Sequence, residues 1–197
     1  SRSADNNFSI FQFGLDGDKP VAPDYDGDSK TDAAVYRAGV WYRMRSTNNT
    51  FDVISFGLPT DIPVPADFDG DGKFDVNVFR PSNGTWHRMN SSNNSYTPLQ
   101  FGLSGDVPVP ADYDGDGKAD VNVFRPSNGA LYLKNSNSTG FADLVLTYGI
   151  PGDRPIVGDW NADGIDTIGV YRNGTFHLRD SNTNGFAELV FSLGVEG

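Results

Sequence analysis

Cysteine is absent from the 197-residue chain, which removes disulfides and thiol chemistry. That absence does not fix a compartment, because metal loops can supply the crosslinks that secreted folds often take from cystine. No apolar run approaches the roughly 20 residues of a spanning helix, and Ser1 to Asn7 lacks the charged and apolar regions of a signal peptide. No membrane span is expected. Basic residues are scarce: 15 Lys and Arg stand against 26 Asp and Glu, a formal net charge of −11. Phosphate binding needs a basic face, so nucleic acid is not expected as a partner. Helical periodicity is missing too, since no window supports a long amphipathic helix. The chain is nevertheless 37% hydrophobic and 13% aromatic, enough to build a core.

The acidity is organised. DYDGDSKTD begins at Asp24, DFDGDGKFD at Asp67, DYDGDGKAD at Asp112 and the divergent DWNADGIDT at Asp159, so the starts lie 43, 45 and 47 residues apart. Random surface charge would not keep phase. In the second unit Pro63 to Ala66 is an extended lead into the acidic loop, and Val76 to Arg80 alternates as a strand. Pro81 to Gly84 then makes a turn, Thr85 to Met89 a third strand, and Ser95 to Phe101 a fourth after a polar turn. The same plan fits Val35–Arg37 and Val40–Arg43, Val123–Arg125 and Leu131–Lys134, and Val170–Arg172 and Thr175–Arg179. A four-stranded unit repeating at forty to fifty residues predicts an all-β fold, a β-propeller of four-stranded antiparallel blades. The four blades span about 14–56, 57–101, 102–148 and 149–193, and residues 8–13 form an extra N-terminal strand.

Oxygen ligands at positions 1, 3, 5 and 9 of a tight loop, with a backbone carbonyl at 7, surround one hard cation; glycine allows the turn. The first loop offers Asp24, Asp26, Asp28, the Lys30 carbonyl and Asp32. The second offers Asp67, Asp69, Asp71, the Lys73 carbonyl and Asp75; the third offers Asp112, Asp114, Asp116, the Lys118 carbonyl and Asp120. The fourth keeps Asp159, Asn161, Asp163 and the Ile165 carbonyl, but position 9 is Thr167 and Asp166 has moved to position 8. It is expected to be weaker or rearranged. All-oxygen coordination favours Ca²⁺, up to one ion per repeat, over Mg²⁺ or zinc. A helix-flanked EF-hand is excluded by the strand-like flanks and by position 12, where valine stands in place of a bidentate Glu and is followed by Tyr36, Phe79, Phe124 or Tyr171.

Other residues recur with the loops. Asp18, Asp61, Asp106 and Asp153 sit six residues before each loop and are expected to bond backbone N–H groups in the inter-blade turns. Arg37, Arg80, Arg125 and Arg172 follow the second-strand aromatic, where a blade-to-blade hydrogen bond or a cation–π contact is expected. His87 and His177 occupy an aromatic packing position, and Trp41, Trp86, Leu131 and Phe176 a core position.

The units resemble FG-GAP-type (VCBS-like) repeats, as in integrin α-subunit propellers and many bacterial surface proteins. The resemblance rests on Phe13-Gly14, Phe56-Gly57, Phe101-Gly102 and Tyr148-Gly149, on the acidic loops, and on the Val-Phe-Arg-Pro-Ser-Asn-Gly strings from Val78 and Val123. It implies a calcium-stapled, non-enzymatic propeller, extracellular or at a cell surface, used for adhesion, protein interaction or scaffolding. Such propellers usually have seven blades. This chain would then belong to a longer array, be completed by another copy, or form a four-bladed ring with a spare strand. A lectin-like carbohydrate binder is the alternative, and an accessory or catalytic domain of a polysaccharide-active enzyme a third reading. No unique catalytic pair stands outside the repeat pattern.

Overall fold

The structure, a computed structural model, describes residues 11–193. Those residues contain strands and no helix, arranged as four antiparallel four-stranded blades of a β-propeller. The first blade runs β1 (Lys19–Pro20), β2 (Ala33–Arg37), β3 (Val40–Met44), β4 (Phe51–Ser55). The second is β5 (Ile62–Pro63), β6 (Val76–Arg80), β7 (Thr85–Met89), β8 (Tyr96–Gln100). The third is β9 (Val107–Pro108), β10 (Val123–Arg125), β11 (Ala130–Leu133), β12 (Leu144–Thr147). The fourth is β13 (Arg154–Gly158), β14 (Thr167–Arg172), β15 (Thr175–Leu178), β16 (Leu189–Ser192). Each sheet is a simple meander in chain order.

The first strands of the first three blades are two residues long, and in the second and third blades pairing resumes past Pro65 and Pro110 at the Ala66–Asp75 and Ala111–Asp120 bridges, whereas β13 runs five residues without a break. The N-terminal strand expected over residues 8–13 lies partly outside the described residues, and its described part, residues 11–13, is not strand.

Each of the first three blades buries a row of large side chains against the blade that follows. In the second blade Phe79, Trp86 and Leu99 stand opposite one another across β6, β7 and β8 and are sealed by Ala119, Val121 and Val123 of the third. Trp86 is fully buried, meets Phe79 edge-on at 5.3 Å, and donates its Nε1–H to the Phe101 carbonyl at 2.8 Å. Tyr36 and Trp41 are closed in the same way by Val76 and Val78, and Phe124 and Leu131 by Ile168 and Val170. The three clusters therefore run from blade to blade and not down the middle of any one sheet.

The recurrent arginines correct the expected blade-to-blade hydrogen bond, while the expected cation–π contact is found in two of the four blades. Arg80 holds Asp61 of its own blade, Nε at 3.0 Å and Nη2 at 2.9 Å, and Arg37–Asp18, Arg125–Asp106 and Arg172–Asp153 repeat the fork. The contact is thus internal to a blade, because both partners belong to the turn and second strand of one meander. The same aspartates accept the expected turn N–H groups, from Leu15, Leu58, Leu103 and Ile150. Arg37 and Arg125 also lie over Tyr42 and Tyr132 at 4.7 and 4.1 Å. His87 stacks on Tyr96 and shares a 2.8 Å hydrogen bond with its hydroxyl, a packing role as expected.

Candidate metal centre

The four acidic loops connect the first and second strands of their blades. In the second, Asp67 accepts the N–H groups of Gly70 (2.6 Å) and Gly72 (2.8 Å), and Asp71 accepts that of Lys73 (2.9 Å). Those bonds curl the chain around the carboxylates, and the positive φ of Gly70 and Gly72 (78° and 82°) permits the curl. Three loops bring carboxylate oxygens within 4.8 Å of one another: Asp24, Asp26 and Asp32; Asp67, Asp69 and Asp71; and Asp112, Asp114 and Asp120. At an effective dielectric of about 20, two unit charges roughly 4 Å apart repel by about 4 kcal/mol.

Of the expected aspartates in these three loops, Asp28, Asp75 and Asp116 fall outside the triplets. Asp28 accepts from Lys30 N (2.9 Å) and Ser46 Oγ (3.0 Å); burial alone would raise its carboxyl, yet these bonds hold it below the usual range. Asp75 is fully buried, accepts from Phe68 N and Ser91 N, and is pushed up chiefly by burial. Asp116 accepts the Lys118 N–H. Burial pushes Asp120 up to about 8, with Asp114, Asp116 and Asp112 adding to the effect against the Tyr113 N–H bond.

The fourth loop keeps the curl, with Asp159 accepting from Asp163 and Gly164 and Asp163 from Ile165. Asp166 turns away from it: its carboxylate accepts the Asp112 N–H of the third loop at 3.1 Å. Thr167 is buried and donates its hydroxyl to the Arg179 carbonyl.

The β3–β4 turn and its counterpart in the second blade were not anticipated as part of the site. Ser46 and Thr47 place their hydroxyls on Asp28 and Asp26, and Ser91 and Ser92 on Asp71 and Asp69. Their recurrence as Ser-Thr and Ser-Ser just after the third strand was the available signal.

The loops are also linked in series. The position-8 N–H of each donates to the position-1 carbonyl of the preceding one: Phe74 to Asp24 (2.9 Å), Ala119 to Asp67 (2.7 Å), Asp166 to Asp112 (2.7 Å). The position-7 side chains lie across the preceding loop's glycine, so that a Cβ on Gly27, Gly70 or Gly115 would come 3.2, 3.0 or 3.1 Å from Lys73, Lys118 or Ile165. Site and blade join are one construction.

Do these residues fit a hard cation? One carboxylate oxygen, Asp26 Oδ1, is buried without a hydrogen-bond partner, and Asp120 resists ionisation among three further aspartates. Both conditions are those a divalent ion relieves, and the donors are all oxygen. The donor set fits.

The FG-GAP-like repeat family matches residues 67–123, the second acidic loop through the start of the third blade's second strand. The chain has no match among curated protein sequences. Among solved structures it resembles an Agrocybe aegerita lectin that recognises non-reducing terminal N-acetylglucosamine (18% identity, TM-score 0.60, 87% of this chain and 50% of that one). It also resembles a chain of the mitotic checkpoint complex (12%, 0.55, 92% and 60%) and one of BBS1N bound to ARL6DN (11%, 0.52, 89% and 57%). At these identities the likeness is one of fold, and the chain spans 50–60% of the length of each.

Proposed function

Starting from a propeller built of FG-GAP-like repeats, we propose that this chain is an extracellular, calcium-stapled interaction module, adhesive or scaffolding, that binds a protein or glycan partner. The observation that carries the reading is the orphaned Asp26 oxygen and the strained Asp120 carboxyl, both set in carboxylate triplets beside a blade join. A bound Ca²⁺ would neutralise those charges. Asp24, Asp26, Asp28 and Asp32 would hold it in the first loop, and Asp67 to Asp75 and Asp112 to Asp120 in the next two. The chain's own contribution is positional: curled backbone N–H groups fix the first aspartate, and the serine hydroxyls aim the third and fifth. The extracellular assignment follows from calcium supply, since extracellular modules work with affinities of about 10⁻⁴–10⁻³ M, far weaker than cytosolic buffers. Calorimetric titration of chelator-treated protein tests the reading. Calcium uptake with a raised melting temperature supports it; a melt indifferent to calcium and chelator removes the metal from the account.

A lectin-like role is the second reading, favoured by the likeness to an N-acetylglucosamine-recognising lectin and by an inter-blade cavity of about 300 Å³. Phe74, Arg43, Asn90, Ser91 and Asn94 line it, mixing an exposed aromatic ring with polar groups. Sugar binding on a glycan array that survives substitution of Asn90 and Asn94 would reject this groove as the site.

A further inference from the structure

The face of the fourth blade that looks away from the third carries the same row of large side chains that every other blade buries. Trp41 and Trp86 are fully buried and Leu131 is 1% exposed, yet Phe176 at the same position is only half-buried. Leu99 and Leu146 are 3% and 1% exposed and Ile54 of the first blade is half-buried against its cluster, whereas their counterpart Phe191 is 40% exposed. Tyr171 and Trp160 are likewise half-buried, where Phe79, Phe124, Tyr25, Phe68 and Tyr113 are buried. Phe176 and Phe191 stack at 5.0 Å with nothing from another blade laid over them in the three core clusters.

The opposite end of the arc carries the matching half. At three joins the covering residues are the tenth and twelfth counted from the loop's first aspartate: Val76 and Val78, Val121 and Val123, Ile168 and Val170. The first blade offers Ala33 and Val35 at those places. The Thr31 N–H and the Asp159 carbonyl stand where the three serial loop bonds have donor and acceptor, and neither makes a backbone bond among the described residues. Bulk is exchanged between the two ends. Where three blades present Tyr or Phe to a Val or Ile, the fourth presents Trp160, and the first presents alanine.

We propose that the two ends join between two copies of this chain, the first blade of each covering the fourth blade of the other, so that two arcs close one ring. A head-to-tail contact of this kind closes when the rotation per blade allows it, and a two-fold axis then makes both joins identical. Trp160 fills the space that Ala33 leaves, and the Thr31 N–H meets the Asp159 carbonyl. Phe13 and Leu193 hold equivalent places at the join. Phe13 packs edge-on against Phe51 at 6.3 Å as Phe56 packs against Tyr96 at 6.1 Å, while Leu193 N–H donates to Gly174 as Phe56 N–H donates to Gly39. On closure they compete for one slot, and residues 11–13, which pair with no strand among the described residues, yield it.

Sedimentation equilibrium on the calcium-loaded chain tests this directly. The expected result is a species of twice the chain mass that dissociates on dilution, with iodide quenching of Trp160 lost in the dimer; Trp41 and Trp86 are already fully buried and silent to the quencher. Ala33→Trp should abolish the dimer while leaving the monomer's circular dichroism unchanged. Ala33→Val should crowd Trp160 and weaken association about tenfold or more, and adding Trp160→Tyr should restore it. A monomer at every concentration, a dimer indifferent to Ala33→Trp, or a Trp160 that stays quenchable in the dimer overturns the proposal. A failure here leaves the calcium titration untouched, so the two readings fall separately.

Discussion

Asp61 is a fully buried carboxylate held by three donors, the Leu58 N–H and two arms of Arg80. Removing the guanidinium strands a buried charge, and breaking such a pair typically costs about 3–5 kcal/mol. Arg80→Ala should therefore show a loss of that order in urea denaturation, far more than an exposed ion pair would. The equivalent pair in the first blade makes a statement about pH. Arg37 holds Asp18 down to about 2, below its ordinary 3.8. A depressed carboxyl stabilises the fold above its ordinary range and loses that contribution as pH falls through about 2. Arg37→Gln should accordingly lower the melting temperature by a constant amount at neutral pH, and the difference should vanish in strong acid. An NMR titration should find Asp18 back in the usual carboxylate range in that variant. Each partner was visible as a recurring residue, but their pairing was not assigned. The signal was a separation of 19 residues, kept in all four units. A fixed offset between two opposite charges in every repeat is what a recurring contact within the blade produces, whereas the arginines taken alone suggested a hydrogen bond between blades or a cation–π contact, of which only the second is found, for Arg37 and Arg125.

At the scale of elements, the strands were legible because side-chain alternation and Gly/Asn turns leave few choices. The expected Val76 to Arg80 and Thr85 to Met89 are β6 and β7 as found. The first strands were harder to read, since Pro63 and Pro65 mark an extended segment without saying where ladder bonds stop. What fixes a blade is its buried row. Trp86 sits at the centre of one, between Phe79 and Leu99 and beneath Val121, with its ring nitrogen on the Phe101 carbonyl. Trp86→Ala should cost about 3–5 kcal/mol in equilibrium unfolding. Trp86→Phe should cost less, retaining most of the apolar area but leaving the Phe101 carbonyl without its donor. Phe176→Ala at the same position of the fourth blade removes a half-buried ring and should cost clearly less than Trp86→Ala in the isolated arc.

For the whole molecule, the loops and the joins cannot be treated apart, because the first carbonyl of each of the first three loops is bonded by the next loop's N–H. The sequence announced the carboxylates of the loops and their period. It did not announce the serial bonds, which are backbone contacts independent of side-chain type, nor that Asp166 reaches back to Asp112. The third loop is where the two demands conflict most, since Asp120 is 1% exposed and its carboxyl is raised to about 8 by burial and by Asp114, Asp116 and Asp112. Asp120→Asn removes a charge that the metal-free fold tolerates poorly while keeping an oxygen for the Tyr113 N–H. The variant should hence melt higher than the parent in chelator, and lower than the parent in calcium, where one ligand charge is missing. Because Ala119, beside it, donates to the Asp67 carbonyl, the calcium response of the second loop should weaken as well. Differential scanning calorimetry of both proteins in each condition gives the four melting temperatures. The crossing of their order separates a metal ligand from a carboxylate that only braces the turn, because a bracing residue would lose stability in both conditions.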